Sequence, residues 1–230
     1  SSSVPMHMWA PDAYAEAPGP ITPFVAITSM GSLFVLFRLL FDVFGFSVST
    51  SAAGTIVIIL GVLSMFVGVT MALVQSDIKR LIAYLSVSQV GYMLMAVGVG
   101  LATWSSTSGF SAAYGKMAMQ GGLFHMLNDG VYKALLFLSA VAVFHATGER
   151  NLNKLGGLAH KMPYTTIFFL LGGLFIAGVP PLSGFSSKLL IYESVYKFNP
   201  VLAIIALVVS IITFAIIGKA FFNAFLGPDQ

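Results

Sequence analysis

The sequence contains no cysteine, and only 8% of its 230 residues are charged. The first absence excludes disulfides and thiolate ligation of metals or iron–sulfur clusters. The second excludes an ordinary soluble surface, which takes about 25% charged residues. A chain that is 57% hydrophobic, with a mean hydropathy of +0.93, has too few polar side chains to coat itself, so it is read as integral to a lipid bilayer. A basic patch is also lacking. The net charge of +3 comes from residues scattered at the ends of apolar runs, which leaves no footprint for nucleic acid. No signal segment and no initiator Met open the chain, so SSSVPMHMW suggests an incomplete N-terminus or a product split from something longer. Nucleophile constellations, phosphate loops and metal clusters are absent from the pattern. His125 and Asp129 share a helical spacing with no third ligand, and Lys133 beside them would repel an ion. No catalytic and no metal-binding residue is therefore assigned, and no cofactor is expected in this chain.

What is present is a series of long apolar runs, at about 20–42, 54–75, 80–104, 114–146, 163–195 and 200–226. Each reaches the roughly 20 residues that cross a hydrocarbon core of about 30 Å. Runs this long are helices, because lipid offers no partner to an unpaired backbone and barrel strands are half the length. The predicted fold is all-α: a polytopic transmembrane bundle of about six helices. Ser1–Pro20, with four prolines, is predicted to be an ordered loop without regular helix. Alternating helices put the connections around Lys79–Arg80 and Arg150–Lys161 on one face, together with that loop and the C-terminus, and the positive-inside tendency makes the face cytoplasmic. Gly54, Gly61 and Gly68, then Gly91 and Gly98, recur at seven-residue spacing and are assigned to close helix packing rather than chemistry.

The fifth run is interrupted by GVPPLSG. Pro180 and Pro181 have no amide hydrogens to continue the ladder, so the helix breaks in mid-membrane, with Gly184 completing the hinge. Broken helices at membrane depth are tolerated where they line a polar cavity, and in transporters they mark the transport site. Lys188 follows the break. In the fourth run, FHMLNDGVYKALLF sets His125, Asp129 and Lys133 at four-residue intervals on one helical face. A lysine at the bilayer centre costs roughly 3 kcal/mol on insertion scales, which makes Lys133 and Lys188 functional candidates ahead of packing residues. His125, aligned with Asp129 and Lys133, stands equally for a proton relay and for a hydrogen-bonded packing residue. Glu193 is a candidate exit group or a snorkelling side chain, as is Lys219. His7, His145 and His160 lie near interfaces and are read as packing or surface residues.

Five strings in order carry a resemblance: VPMHMWAPDAYAEAPGPIT, SDIKRLIAYLSVSQVGYM, FHMLNDGVYKALLF, NLNKLGGLAHKMP and GVPPLSGFSSKLLIYES. With these, the sequence resembles the antiporter-like subunits of respiratory complex I, membrane-bound hydrogenases and Mrp-type sodium/proton antiporters. The resemblance implies two inverted five-helix repeats, each with a broken helix, joined by a water-filled polar axis. This chain would be the second half: residues 1–20 a cytoplasmic-side loop, 20–42 the last helix of the first repeat, 54–226 the second repeat. Lys133 would match the central lysine, Lys188 the lysine after the second break and His125 the first of two histidines. Asp129 stands where the second histidine is usual, and Met30 where a lysine or histidine is usual.

The function this implies is proton translocation, with Na+ as an alternative ion, by Lys133 and Lys188 with His125 and Asp129 as relay. It would occur in the membrane arm of a redox-driven complex, or alternatively in an Mrp-type cation/proton antiporter, in a prokaryotic cell membrane or an energy-transducing organelle membrane. Flavin, iron–sulfur, nickel–iron or quinone groups would belong to partner subunits. Two rivals stand beside it: a structural membrane subunit that has lost transport, and an independent solute transporter.

Overall fold

The computed structural model describes residues 2–43, 50–104 and 109–228. Its elements are α1 (Trp9–Glu16), α2 (Thr22–Arg38, prolonged by a π-helical turn Leu39–Val43), α3 (Thr50–Leu73), α4 (Ile78–Ala102), α5 (Gly109–Thr147), α6 (Leu158–Lys161), α7 (Pro163–Ala177), α8 (Ser183–Phe198) and α9 (Pro200–Phe221, closed by a π-helical turn Phe222–Leu226). Among the described residues there is no strand, only an isolated bridge between Asp77 and Asn151. Helices α2, α3, α4, α5 and α9 are each long and apolar enough to cross a membrane. Helix α7, at 15 residues, is apolar but shorter than these, and α8 follows it after the break.

The helix at the centre is α4, whose side chains are buried along nearly its whole length. Its start is set by Asp77, whose carboxylate accepts from the amides of Lys79 at 2.8 Å and Arg80 at 3.2 Å, filling donors that a helix N-terminus leaves open. Helix α3 lies against it along the glycine stripes. A Cβ on Gly91 would sit 2.5 Å from the carbonyl oxygen of Gly61, and one on Gly61 would sit 2.8 Å from that of Gly91. The two backbones touch where side chains would hold them apart.

One expectation is corrected. Ser1–Pro20 is not irregular throughout, because Trp9–Glu16 is an eight-residue helix. Pro11 is tolerated there as the third helical residue, where an amide has no intrahelical acceptor to lose. Tyr14 fastens this helix to α5 by an edge-on contact with Phe137, ring centroids 5.5 Å apart, and burial pushes its hydroxyl pKa above the ordinary value.

The basic residues of the two connections meet this N-terminal segment at one end of the bundle. Arg80 pairs with Asp12 at 2.8 Å, Arg150 donates to the carbonyl of Ala15 at 2.8 Å, and Lys79 donates to that of Ala17 at 3.2 Å. The bridge near Asp77 adds Ile78 N–H to Arg150 O and Leu152 N–H to Ser76 O. Nearby, the amides of Asn151 and Arg150 hold the Glu149 carboxylate below its usual pKa.

The glycine contact yields opposite signs for one substitution type. Gly91→Ala is expected to lower the thermal unfolding temperature in detergent, by the equivalent of about 1–3 kcal/mol of overpacking. Gly218→Ala, where a Cβ meets nothing within 4 Å, is expected to be neutral or stabilising by up to about 1 kcal/mol through helix propensity. Equal shifts in both variants would refute the close α3–α4 contact.

Candidate functional site

Helix α5 presents His125, Asp129 and Lys133 to the interior, and all three side chains are 0% exposed. Between them, Leu127 and Val131 face outward. Lys133 Nζ lies 2.5 Å from Asp129 Oδ2, a close ion pair at i,i+4. No other described protein group is aligned to hydrogen-bond either the ammonium or the carboxylate oxygens. A buried pair of this kind is held by mutual charge, and removing one member leaves the other uncompensated.

His125 turns to other helices rather than to Asp129. Its Nε2 is 3.1 Å from Gln89 Oε1 on α4, and its Nδ1 is 3.0 Å from Ser187 Oγ on α8 and 3.3 Å from the Tyr132 hydroxyl. With the amide oxygen toward the ring, Nε2 donates and Nδ1 is left to accept a hydroxyl hydrogen. The imidazole thus ties α4, α5 and α8 together.

Lys188 is the third buried charge, 1% exposed, five residues into α8. The break that precedes it is built as the prolines require. Helix α7 stops at Ala177, Gly178 takes the left-handed conformation at φ 76°, and α8 restarts at Ser183. A Cβ on Gly184 would collide with the carbonyl of Phe175, so glycine lets the two half-helices approach. The Lys188 ammonium reaches back across the break, donating to the Ile176 carbonyl at 2.8 Å and to Ser210 Oγ of α9 at 3.3 Å. Ser210 in turn donates to the Ala177 carbonyl at 2.9 Å. The two last carbonyls of α7 therefore find partners.

The structure gathers Lys133, Asp129, His125 and Lys188 between α4, α5, α7, α8 and α9, beside Pro180, Pro181 and Gly184. Glu193 lies apart: it is half-exposed on α8 and pairs with Lys197 at 3.0 Å. Met30 also lies apart, lining an apolar groove of about 1030 Å³ between α2 and α5 with Gly31, Phe34, Met126 and Leu127. Sequence reasoning missed Gln89, Ser187, Tyr132, Tyr92 and Ser210. Gln89 carried a signal, as a large polar side chain in an apolar run, and Ser187 adjoins Lys188. Ser210, which with Thr213 is one of two hydroxyl residues in a long apolar helix, carried none. Among the described residues no group of three or more potential metal ligands occurs.

With this geometry in place, the chain can be set beside known proteins. The family model described as NADH:quinone oxidoreductase/Mrp antiporter, transmembrane, matches residues 1–213. An uncharacterized protein of Methanocaldococcus jannaschii is 37% identical over 97% of this chain and 44% of its own length. Formate hydrogenlyase subunit 3 of Escherichia coli is 34% identical over 85% of this chain and 31% of its own. A chain in the structure of respiratory complex I from Thermus thermophilus with bound NADH superimposes with a TM-score of 0.85 at 27% identity, over 99% of this chain and 46% of that one. The chain belongs to the NADH:quinone oxidoreductase/Mrp antiporter membrane family and is an integral membrane protein with an all-helical, antiporter-like bundle. It spans less than half the length of these curated relatives.

The ion pair sets a test of stability. Asp129→Leu is expected to cost about 3–5 kcal/mol by leaving Lys133 buried without its counter-charge. The double variant Asp129→Leu/Lys133→Met is expected to recover most of that loss. Thermal unfolding of both in detergent checks it, and additive losses would contradict a coupled pair.

Proposed function

We propose that this chain carries protons through the membrane as one subunit, or part of one, of a multi-subunit ion-translocating complex. The observation that carries the reading is the internal file of ionisable groups, Lys133 with Asp129, then His125, then Lys188 at a broken helix, inside an otherwise apolar bundle. Such groups are costly in a bilayer and mark ion pathways. Lys133 would hold a proton in mid-membrane, Asp129 and His125 would relay or tune it, and Lys188 would pass it onward at the Pro180–Gly184 break.

Family membership supports the same reading, since named members include a formate hydrogenlyase subunit and a chain of respiratory complex I. The driving reaction would lie in partner subunits. Flavin, iron–sulfur, nickel–iron or quinone groups belong to them in a redox complex, and none of these is needed in an Mrp-type antiporter, where Na+ would be exchanged for H+. The exposed position of Glu193, paired with Lys197, favours a surface role for it over the exit.

A second reading, a membrane subunit that no longer transports, draws on the tight Asp129–Lys133 pair and on Met30 in its apolar groove. One experiment separates the two. In the assembled complex reconstituted into liposomes, Lys188→Met and the Asp129→Leu/Lys133→Met double variant are expected to lose at least tenfold in proton translocation while the complex stays intact. Translocation at the unsubstituted rate in both would leave the structural subunit standing and the transport reading refuted.

A further inference from the structure

The Lys188 ammonium differs from that of Lys133 in what holds it. Lys133 has a carboxylate at 2.5 Å. Every group in direct contact with Lys188 Nζ is uncharged: the Ile176 carbonyl, the Ser210 hydroxyl and the face of the Tyr92 ring, whose centroid is 4.7 Å away. The carbonyl and hydroxyl approach from α7 and α9, and the ring covers the side toward α4.

The ring is fixed in that orientation. Tyr92 is fully buried, its hydroxyl donates to the carbonyl of Ala206 on α9 at 2.6 Å, and its edge meets His125 at 6.0 Å and Tyr192 at 6.3 Å between centroids. A side chain that packed for bulk alone would have no need of a hydrogen bond across 114 residues of sequence, nor of a ring face turned to an ammonium. The negative face of an aromatic quadrupole attracts a cation, and most strongly where water is excluded.

We propose that Tyr92 is a positioning residue for transport: its ring face, held by the packing of His125 and Tyr192 around it, steadies the charged Lys188 at the helix break. The inference rests on the transport reading above and adds a residue that acts through Lys188 rather than touching the proton's path. The charged and titratable groups around Lys188 are few. Helix α5 contributes Asp129, with Lys133 paired to it, and His125; α4 contributes Tyr92; α8 contributes Tyr192. Helices α7 and α9 face it with neutral oxygens only. Asp129 acts at longer range than the ring, so changing the ring alters one direct contact of the charge without touching a counter-ion.

The test is the pH dependence of proton translocation by the complete complex in liposomes, with position 92 varied at constant shape. Tyr92→Phe keeps the ring face and is expected to keep the midpoint pH within about 0.3 unit. Fluorinated phenylalanines at the same position keep size and packing while draining the ring face, and are expected to move the midpoint stepwise to lower pH. The full series is expected to span up to about one unit. The direction follows because a weaker hold on the ammonium lets Lys188 lose its proton at lower pH. A midpoint that stays constant across the fluorinated series overturns the proposal. So does a Tyr92→Phe midpoint displaced as far as that of the most fluorinated ring, since the hydroxyl anchor would then carry the effect. Continued translocation by both Lys188→Met and the Asp129→Leu/Lys133→Met variant overturns this inference and the reading it rests on, whereas continued translocation by Lys188→Met alone, or loss in Lys188→Met with a flat series, overturns the inference alone.

Discussion

A backbone carbonyl in hydrocarbon has no water to accept from, and this constraint organises the bundle around the break between α7 and α8. An unbroken helix would satisfy its own carbonyls. Once Pro180 and Pro181 remove the amides that would follow, the last turn of α7 must find donors elsewhere. Gly178 and Val179 close back onto Leu174 and Phe175. Ile176 and Ala177 remain, and they are taken by Lys188 from α8 and Ser210 from α9. The same contacts that repair the backbone hold a lysine inside the bundle, so structure and charge are not separable at this point. They also fix α9 against α7, and through Tyr92 they draw in α4.

The two buried lysines consequently differ in kind. Lys133 is compensated along its own helix, by a carboxylate one turn away that moves with it. Lys188 is compensated between helices, by dipoles on three separate elements. A relative movement of α4, α7 or α9 would leave the first pair intact and alter the second. On the proposed function, that makes Lys188 the group whose hold on a proton responds to motion between helices, while the hold of Lys133 is set within α5. His125 stands between them, bonded to Gln89 and Ser187, on the helices that carry Tyr92 and Lys188.

Much of this was legible in the sequence for a simple reason: hydrocarbon imposes local rules. The length of each apolar run announced a helix, the Pro-Pro pair announced the break, and four-residue spacing put His125, Asp129 and Lys133 on one face. The seven-residue glycine stripes announced close helix packing, which the structure places between α3 and α4. What could not be read was any feature that depends on a partner distant in sequence. His125 looked like a neighbour of Asp129 because both sit on α5, yet its nitrogens are claimed by Gln89, 36 residues earlier, and Ser187, 62 later. Tyr92 reads as one more aromatic in a buried helix until Lys188 appears beneath its ring. The short α1 was missed because proline count was weighed without position, and Pro11 falls in the first turn, where it costs nothing.

The place of Met30 bears on the direction of any path. Among the described residues of helix α2, none hydrogen-bonds or ion-pairs directly with His125, Asp129, Lys133 or Lys188. Thr22, Thr28, Ser29 and Ser32 donate to backbone carbonyls three to five residues back, and Arg38 pairs with Asp42. Met30 itself lies among Leu33, Phe37 and Met126. The polar partners of the ladder are instead on α4, α7, α8 and α9. On the proposed function, a proton moving between the described side chains has its hydrogen-bonded steps from α5 toward α8 and α9, so the file would run from Lys133 to the broken helix.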